Sequence, residues 1–181
     1  MIWEPYIPYP NHENLGVIAS VYLNEGKTMI KRSYQINGIT SSGKPSEKSL
    51  ERIEIKWLAE TEHLLRFENK PWVPELIDIN YNERYIIQKY YGPDLLIQGY
   101  DDIPDIEDQI VEIYQYFKEI NVYKLNGSMA NMTKKDGKVI MFDFKYMKPR
   151  LERLKVYAIR EIDEWLSKIT PTISPRLKAL I

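Results

Sequence analysis

The 181-residue chain contains no cysteine. Disulfides, thiolate metal sites and thiol nucleophiles are therefore excluded. No apolar run approaches the ~20 residues that span a bilayer. The opening residues, MIWEPYIPYPNHEN, lack the basic start and apolar centre of a secretory leader. A soluble, cytoplasmic protein with no membrane partner is the expectation. A formal net charge of -1 leaves no general positive excess, which argues against nucleic acid as a partner. There is no internal repeat and no low-complexity tract. What is present, 44% hydrophobic and 28% charged residues, is the balance of a globular protein. The length suits one domain, or two small lobes.

The chain opens with Pro5, Pro8 and Pro10, which predict an extended or irregular segment. Residues 14–23 read as a strand, Asn24-Glu25-Gly26-Lys27 as a hairpin turn, and 28–34 as a second strand carrying Lys31. A Gly/Ser/Lys/Pro-rich linker over 36–49 precedes a helix over 47–67, with an apolar stripe at Leu50, Ile53, Trp57, Leu58, Leu64 and Leu65. Two more strands, 76–80 and 85–88, run into Lys89-Tyr90-Tyr91-Gly92-Pro93. Gly92 and Pro93 mark the best boundary in the chain, giving a β-rich part over 1–91 and a helical part over 92–181. Ile106, Ile110, Ile113, Tyr114 and Phe117 define a core helix over 106–120. Leu151, Leu154, Ala158, Ile162, Trp165 and Ile169 define another over 150–169, before a Pro-bounded tail with one short last helix.

The stretch from Ile120 to Met147, INVYKLNGSMANMTKKDGKVIMFDFKYM, carries the chemistry. It reads as a helix end, a polar loop, a tight turn at Lys135-Asp136-Gly137-Lys138 and a short buried strand that delivers Asp143 and Phe144. Asn131 and Asp143 flank two short paired strands, so the hairpin can bring an amide oxygen and a carboxylate together. Such a pair suits Mg²⁺, which prefers oxygen ligands and shares them with substrate phosphates.

This loop resembles the catalytic loop and Asp-Phe-Gly segment of the protein-kinase-like superfamily. The resemblance extends from about Leu15 to Met147. Thr28-Met29-Ile30-Lys31 stands where that family has Val-Ala-Ile-Lys, and its three loop glycines fall on Asn14, Gly16 and Ala19. Glu60, with Glu62 as second choice, falls where the family has the carboxylate that pairs with the lysine. Lys89 and Tyr90 fall on the hinge that holds adenine by backbone groups. The resemblance implies an α+β, two-lobed kinase-like fold with a small antiparallel-sheet lobe and a minimal helical lobe. It implies ATP and Mg²⁺ in a cleft between the lobes. Gly16 and Lys31 would meet the phosphates, Glu60 would hold Lys31, and Asn131 and Asp143 would hold the metal.

The departures from the pattern bear on activity. Aligned on Asn131, the family's catalytic triplet falls on Lys124-Leu125-Asn126. The position of the catalytic base is thus Asn126, an amide that cannot accept a proton as a base does. The glycine of Asp-Phe-Gly is Lys145. Phosphoryl transfer rests mainly on positioning and charge stabilisation, so Asn126 could still orient a hydroxyl, and Lys124 or Lys145 could neutralise phosphate charge. The plain alternative is that both lysines are solvated. The short stretch after Asp143 leaves no room for an activation segment, which points to small-molecule rather than protein acceptors. Two readings stay open. One is a divergent phosphotransferase with a non-protein acceptor. The other is a non-catalytic pseudokinase that binds or scaffolds a protein partner.

Overall fold

The computed structural model describes residues 1–6, 19–34 and 47–181. Asn14 and Gly16 lie outside them. The described chain divides into two compact units, Met1–Asn69 with Pro74–Tyr91, and Lys70–Val73 with Gly92–Ile181.

The first unit is built on an antiparallel sheet of β1 (Trp3–Pro5), β2 (Ser20–Asn24), β3 (Met29–Ser33), β5 (Tyr85–Lys89) and β4 (Leu76–Asn80), in that spatial order. The proline-rich start was expected to be extended or irregular, and Trp3–Pro5 is an extended strand that pairs with β2. Proline is tolerated there because β1 is an edge strand. The β2–β3 turn is tied by Asn24 Oδ1, which accepts from the backbone N–H of Thr28 and of Met29, each at 2.8 Å. The helix α1 (Glu47–Phe67) forms where the spacing predicts it. Its buried stripe is Ile53, Trp57, Glu60, Leu64 and Phe67, whereas Leu58 and Leu65 are exposed. Spacings of 4, 3, 4 and 3 residues keep one face aligned with the helical period, and Glu60 lies inside that stripe. The face meets the sheet through Trp57, whose ring centroid is 5.4 Å from that of Tyr34.

The second unit opens with α2 (Leu95–Gln98), capped by Asp94, which accepts from Leu96 N–H at 3.0 Å. The expected core helix is α3 (Ile106–Glu119), and all of its predicted apolar residues are buried. Next come β6 (Val122–Lys124), the hairpin of β7 (Met132–Lys135) and β8 (Lys138–Met141), and β9 (Met147–Pro149), which pairs antiparallel with β6. Asp136 and Gly137 both have positive φ, 50° and 71°, in the loop closed by the Lys135–Lys138 pair. Positive φ at both central residues is the backbone of a type I′ turn, which suits the twist of the strands it joins.

The last long helix is shorter than predicted. α4 (Glu152–Glu164) stops at Trp165, and a 3₁₀ turn over Leu166–Lys168 precedes α5 (Ile173–Lys178). Leu151 and Trp165, expected inward, are exposed, and Leu166 is buried in place of Trp165. The turn shifts the phase by one residue.

Lys70–Val73 packs as part of the second unit. Trp72 lies edge-on to Phe117 (5.6 Å), Tyr116 (5.7 Å) and Phe144 (6.3 Å), and its carbonyl accepts from Met141 N–H at 2.7 Å. Edge-to-face aromatic pairs contribute about 0.5–1.5 kcal/mol each beyond the area they bury. Among the described residues no helix is long and apolar enough to cross a membrane.

One carboxylate ties the start of α3 to the C-terminal segment. Glu107 accepts from Thr170 Oγ1, from Thr172 Oγ1 at 2.6 Å and from Arg176 Nη1 at 2.8 Å. These hydrogen bonds, the hydroxyls before the guanidinium, hold its pKa down to about 2 from 4.5. A depressed carboxylate contributes stability above its unfolded pKa and loses it as pH falls through the folded value. Between pH 4.5 and 2 wild type is therefore expected to lose melting temperature more steeply than Glu107→Gln. Parallel curves for the two proteins would show that this cluster is not linked to folding.

Candidate functional site

The site residues in the first unit are set by strand register. In β3, Arg32 pairs across from Ile86, and Lys31 from Ile87 and Tyr22. Neighbours along a strand point to opposite faces. Arg32 therefore joins Tyr34, Ile86 and Gln88 on the buried face beneath α1, and Lys31 takes the other face. Glu60, 0% exposed, pairs with Arg32, Nη2 lying 3.6 Å from Oε1, and Arg32 also donates to Gln88 Oε1. The expected Lys31–Glu60 pair is not formed. Lys31 instead sets its ammonium 4.0 Å from the centroid of Tyr85 and 5.9 Å from that of Trp3. A one-residue slip exchanges the two faces. Sequence reasoning missed Arg32, although Ile30 and Tyr34, each two residues away, signal its face.

At the expected hinge, the backbone N–H of Lys89 donates to Glu75 O and that of Tyr90 to Thr28 O, each at 2.9 Å. Both donors are spent within the sheet. The Lys89 ammonium pairs with Glu75 at 2.5 Å. The glycine-loop residue Gly16 is outside the described residues.

In the second unit two ladders hold one loop. The β7–β8 pairing runs from Lys135–Lys138 to Met132–Met141, and the next bond, Phe142 N–H to Asn131 O at 3.0 Å, places Asn131 beside the strand that ends at Asp143. Asn131 closes a 3₁₀ turn, Met129–Asn131, whose start is capped by Ser128 Oγ accepting from Ala130 N–H at 3.1 Å. The β6–β9 ladder continues as Leu125 N–H to Tyr146 O at 3.2 Å. Asp143 itself has φ 61°, a left-handed backbone that costs an L residue roughly 1–2 kcal/mol. Its neighbour Phe144 is 0% exposed against Trp72 and anchors the turn.

Lys124 was expected in solvent or on phosphate, but it is 2% exposed and faces the loop's own backbone. Its ammonium donates to Asp143 O at 2.7 Å, Asn126 Oδ1 at 3.0 Å and Phe142 O at 3.2 Å. Asn126 Nδ2 donates to the same Asp143 carbonyl at 3.1 Å. Asn131 Nδ2 in turn donates to Asn126 O at 2.7 Å. Lys145 places its ammonium 2.5 Å from Asp143 Oδ2, in a pair whose side chains are 17% and 18% exposed. Asn126, Asn131, Asp143, Lys124 and Lys145 thus form one network.

A second layer supports this network from α3 and α4, and nothing in the local sequence announces it. Burial raises the pKa of Glu161 on α4, an effect countered by the charge of Arg160, by the nearby Gly127 backbone and by the charge of Lys124. Tyr114 lies against the same loop, and burial, with the Glu161 charge second, raises its phenol.

No protein-family model matches the chain, and no curated protein matches it. Solved structures do. The chain is similar to the Rio2 kinase from Chaetomium thermophilum, with TM-score 0.62 and 11% identity, over 90% of this chain and 59% of that one. The ADP/Mg²⁺-phosphoaspartate complex of the same kinase matches with TM-score 0.62 and 11% identity, over 94% and 60%. The bifunctional kinase-methyltransferase WbdD matches with TM-score 0.61 and 12% identity, over 99% and 45%. The chain spans about three fifths of the Rio2 chains and under half of WbdD. It has a protein-kinase-like fold, mixed α+β with a five-stranded antiparallel sheet.

Proposed function

We propose that this protein is a kinase-like module that binds a nucleotide such as ATP and does not transfer its phosphoryl group. The observation that carries this reading is the engagement of Asn126. At the position where the resemblance puts the base, both ends of the side-chain amide are occupied, Oδ1 by Lys124 and Nδ2 by the Asp143 carbonyl. An amide has no proton-accepting role to offer, and this one is turned inward to lock a loop. Nucleotide binding draws its support from the shared fold, since the Rio2 structure holds ADP and Mg²⁺. In this reading Arg32, set by Glu60 and Gln88, takes the part expected of Lys31, and the backbone donors of Lys89 and Tyr90 take none.

Mg²⁺ fits the present arrangement poorly. Its expected ligands offer one carboxylate, that of Asp143, already matched by the Lys145 ammonium, and one amide oxygen, that of Asn131. Lys124 adds a second positive charge beneath them. A hard dication is bound by carboxylates together with substrate phosphates, and here the Oδ2 oxygen of that carboxylate is already paired with an ammonium.

The test is turnover of ATP in Mg²⁺, with water and a panel of sugars and small alcohols as acceptors. Wild type, Asn126→Asp, and Asn126→Asp with Asp143→Ala are expected to show the same background rate, while ATP raises the melting temperature of wild type by mass action. General bases contribute typically ~10²–10⁴-fold, so a latent site would be visible. Turnover in wild type or Asn126→Asp that vanishes with Asp143→Ala would establish a phosphotransferase with a small-molecule acceptor. A folded sample with no ATP-dependent shift would favour a scaffold whose ligand is a protein.

A further inference from the structure

We infer that the ammonium of Lys145 stands in the place of a divalent cation against Asp143, so that this site takes nucleotide phosphates free of metal. The inference rests on the nucleotide reading above and deepens it by naming the ionic form of the ligand.

The pair is built in rather than opportunistic. Asp143 is fixed through its own carbonyl by Lys124 at 2.7 Å and Asn126 at 3.1 Å. Lys145 follows two residues later on a backbone held on both sides. Phe144 is fully buried, its carbonyl accepts from Met147 N–H at 3.0 Å, and Tyr146 O accepts from Leu125 N–H at 3.2 Å. The Lys145 ammonium also lies 5.5 Å from the Tyr146 ring centroid. With both side chains under one fifth exposed, the contact differs from a solvated surface pair, whose value is small.

The charge balance points the same way. Asp143 contributes -1 and Lys145 +1, so the pair is neutral, and Lys124 (+1) behind the Asp143 carbonyl is balanced from α4 by the Glu161 carboxylate (-1). A carboxylate neutralised in this way offers a dication no net negative charge. An ammonium is a compact point charge that binds phosphate. It can donate to a carboxylate and a phosphate oxygen together, which is how a bridging metal ion links them.

Calorimetric titration of ATP tests this in EDTA and in Mg²⁺, alongside Mn²⁺ binding read by water-proton relaxation. Wild type is expected to bind ATP in EDTA at least as well as in Mg²⁺, and to leave Mn²⁺ relaxation unchanged. Lys145→Met is expected to lose affinity in EDTA by about tenfold or more, the scale of one charge-assisted hydrogen bond. It should recover affinity in Mg²⁺ and bind Mn²⁺, and adding Asp143→Asn should abolish the Mn²⁺ signal. Lys145→Arg keeps the charge and should behave as wild type in EDTA. Mg²⁺-dependent ATP binding by wild type, or Mn²⁺ binding equal in wild type and Lys145→Met, would overturn the inference alone. No ATP binding by any folded variant in either buffer would instead overturn the nucleotide reading, and the inference would fall with it.

Discussion

Gly127→Ala is expected to melt well below wild type, and Tyr114→Phe in the same chain is expected to restore most of the loss. A Cβ built on Gly127 would lie 2.3 Å from Tyr114 Oη, far inside contact distance. The next atoms, Tyr114 Cζ and Leu166 Cδ1, are each at 3.6 Å, an ordinary contact. The obstruction is therefore the hydroxyl alone. Neither side can yield easily, because Tyr114 is buried on α3 and Asn126, the residue before Gly127, is tied to Lys124 and to the Asp143 carbonyl. Overpacking of this kind costs about 1–3 kcal/mol. In a chain of this size that is a fall of roughly 2–12 °C, at about 2–4 °C per kcal/mol.

Tyr114→Phe alone should be neutral or mildly stabilising. Its hydroxyl is buried and has no hydrogen-bond partner among the described residues, and an unsatisfied buried polar group is a cost to folding. Melting curves of the two single variants and the double variant form a cycle whose coupling term isolates the clash. If Gly127→Ala costs the same with phenylalanine as with tyrosine at 114, the loop does not lie against that hydroxyl.

The second large effect is expected at Lys124. Lys124→Met keeps much of the aliphatic volume and removes the ammonium that serves Asn126 Oδ1 and the carbonyls of Phe142 and Asp143. Two backbone acceptors lose a charged donor in a place water reaches poorly. Hydrogen bonds to charged groups are each worth about 1.5–3 kcal/mol, and relief from burying an ammonium offsets part of that loss. A net destabilisation of about 2–4 kcal/mol is expected. It should be accompanied by faster amide exchange at Phe142 and Met147, whose N–H groups bond within this loop. A melting temperature within a degree of wild type, with unchanged exchange there, would show that the buried charge is dispensable.

How far these features are legible in the sequence depends on the kind of interaction. Glu60 was singled out by motif resemblance as the partner of Lys31, while its burial is stated by a signal left unused, its spacing from Trp57 and Leu64 along the helical period. Asn131 and Asp143 could be brought together because the Asp136-Gly137 turn fixes the hairpin register. Arg32 was passed over for Lys31 because a motif was matched by residue type, while the alternation of Ile30, Arg32 and Tyr34 states the face directly. The burial of Lys124 has no such signal. Lysine is ordinarily exposed, and its acceptors here are main-chain carbonyls from a strand end some twenty residues away. Nor could the β6–β9 ladder be read, since it pairs short strands across a long interval and no turn motif joins them. Trp165 was assigned to the core because a continuous helix was assumed. The 3₁₀ turn that follows it changes the phase.

The placement of Trp72 bears on how the protein can be dissected. Lys70–Val73 belongs with the second unit but is flanked in sequence by Asn69 and Pro74 of the first. A fragment started at Gly92 would leave behind the indole that covers Phe117 and Phe144, together with the carbonyl that bonds Met141. Its freshly uncovered aromatic floor would sit directly under the Asp143 turn. Expression of that half on its own would thus call for grafting the Trp72 tetrapeptide back in, or for supplying it as a separate peptide, in the manner of a complemented split protein.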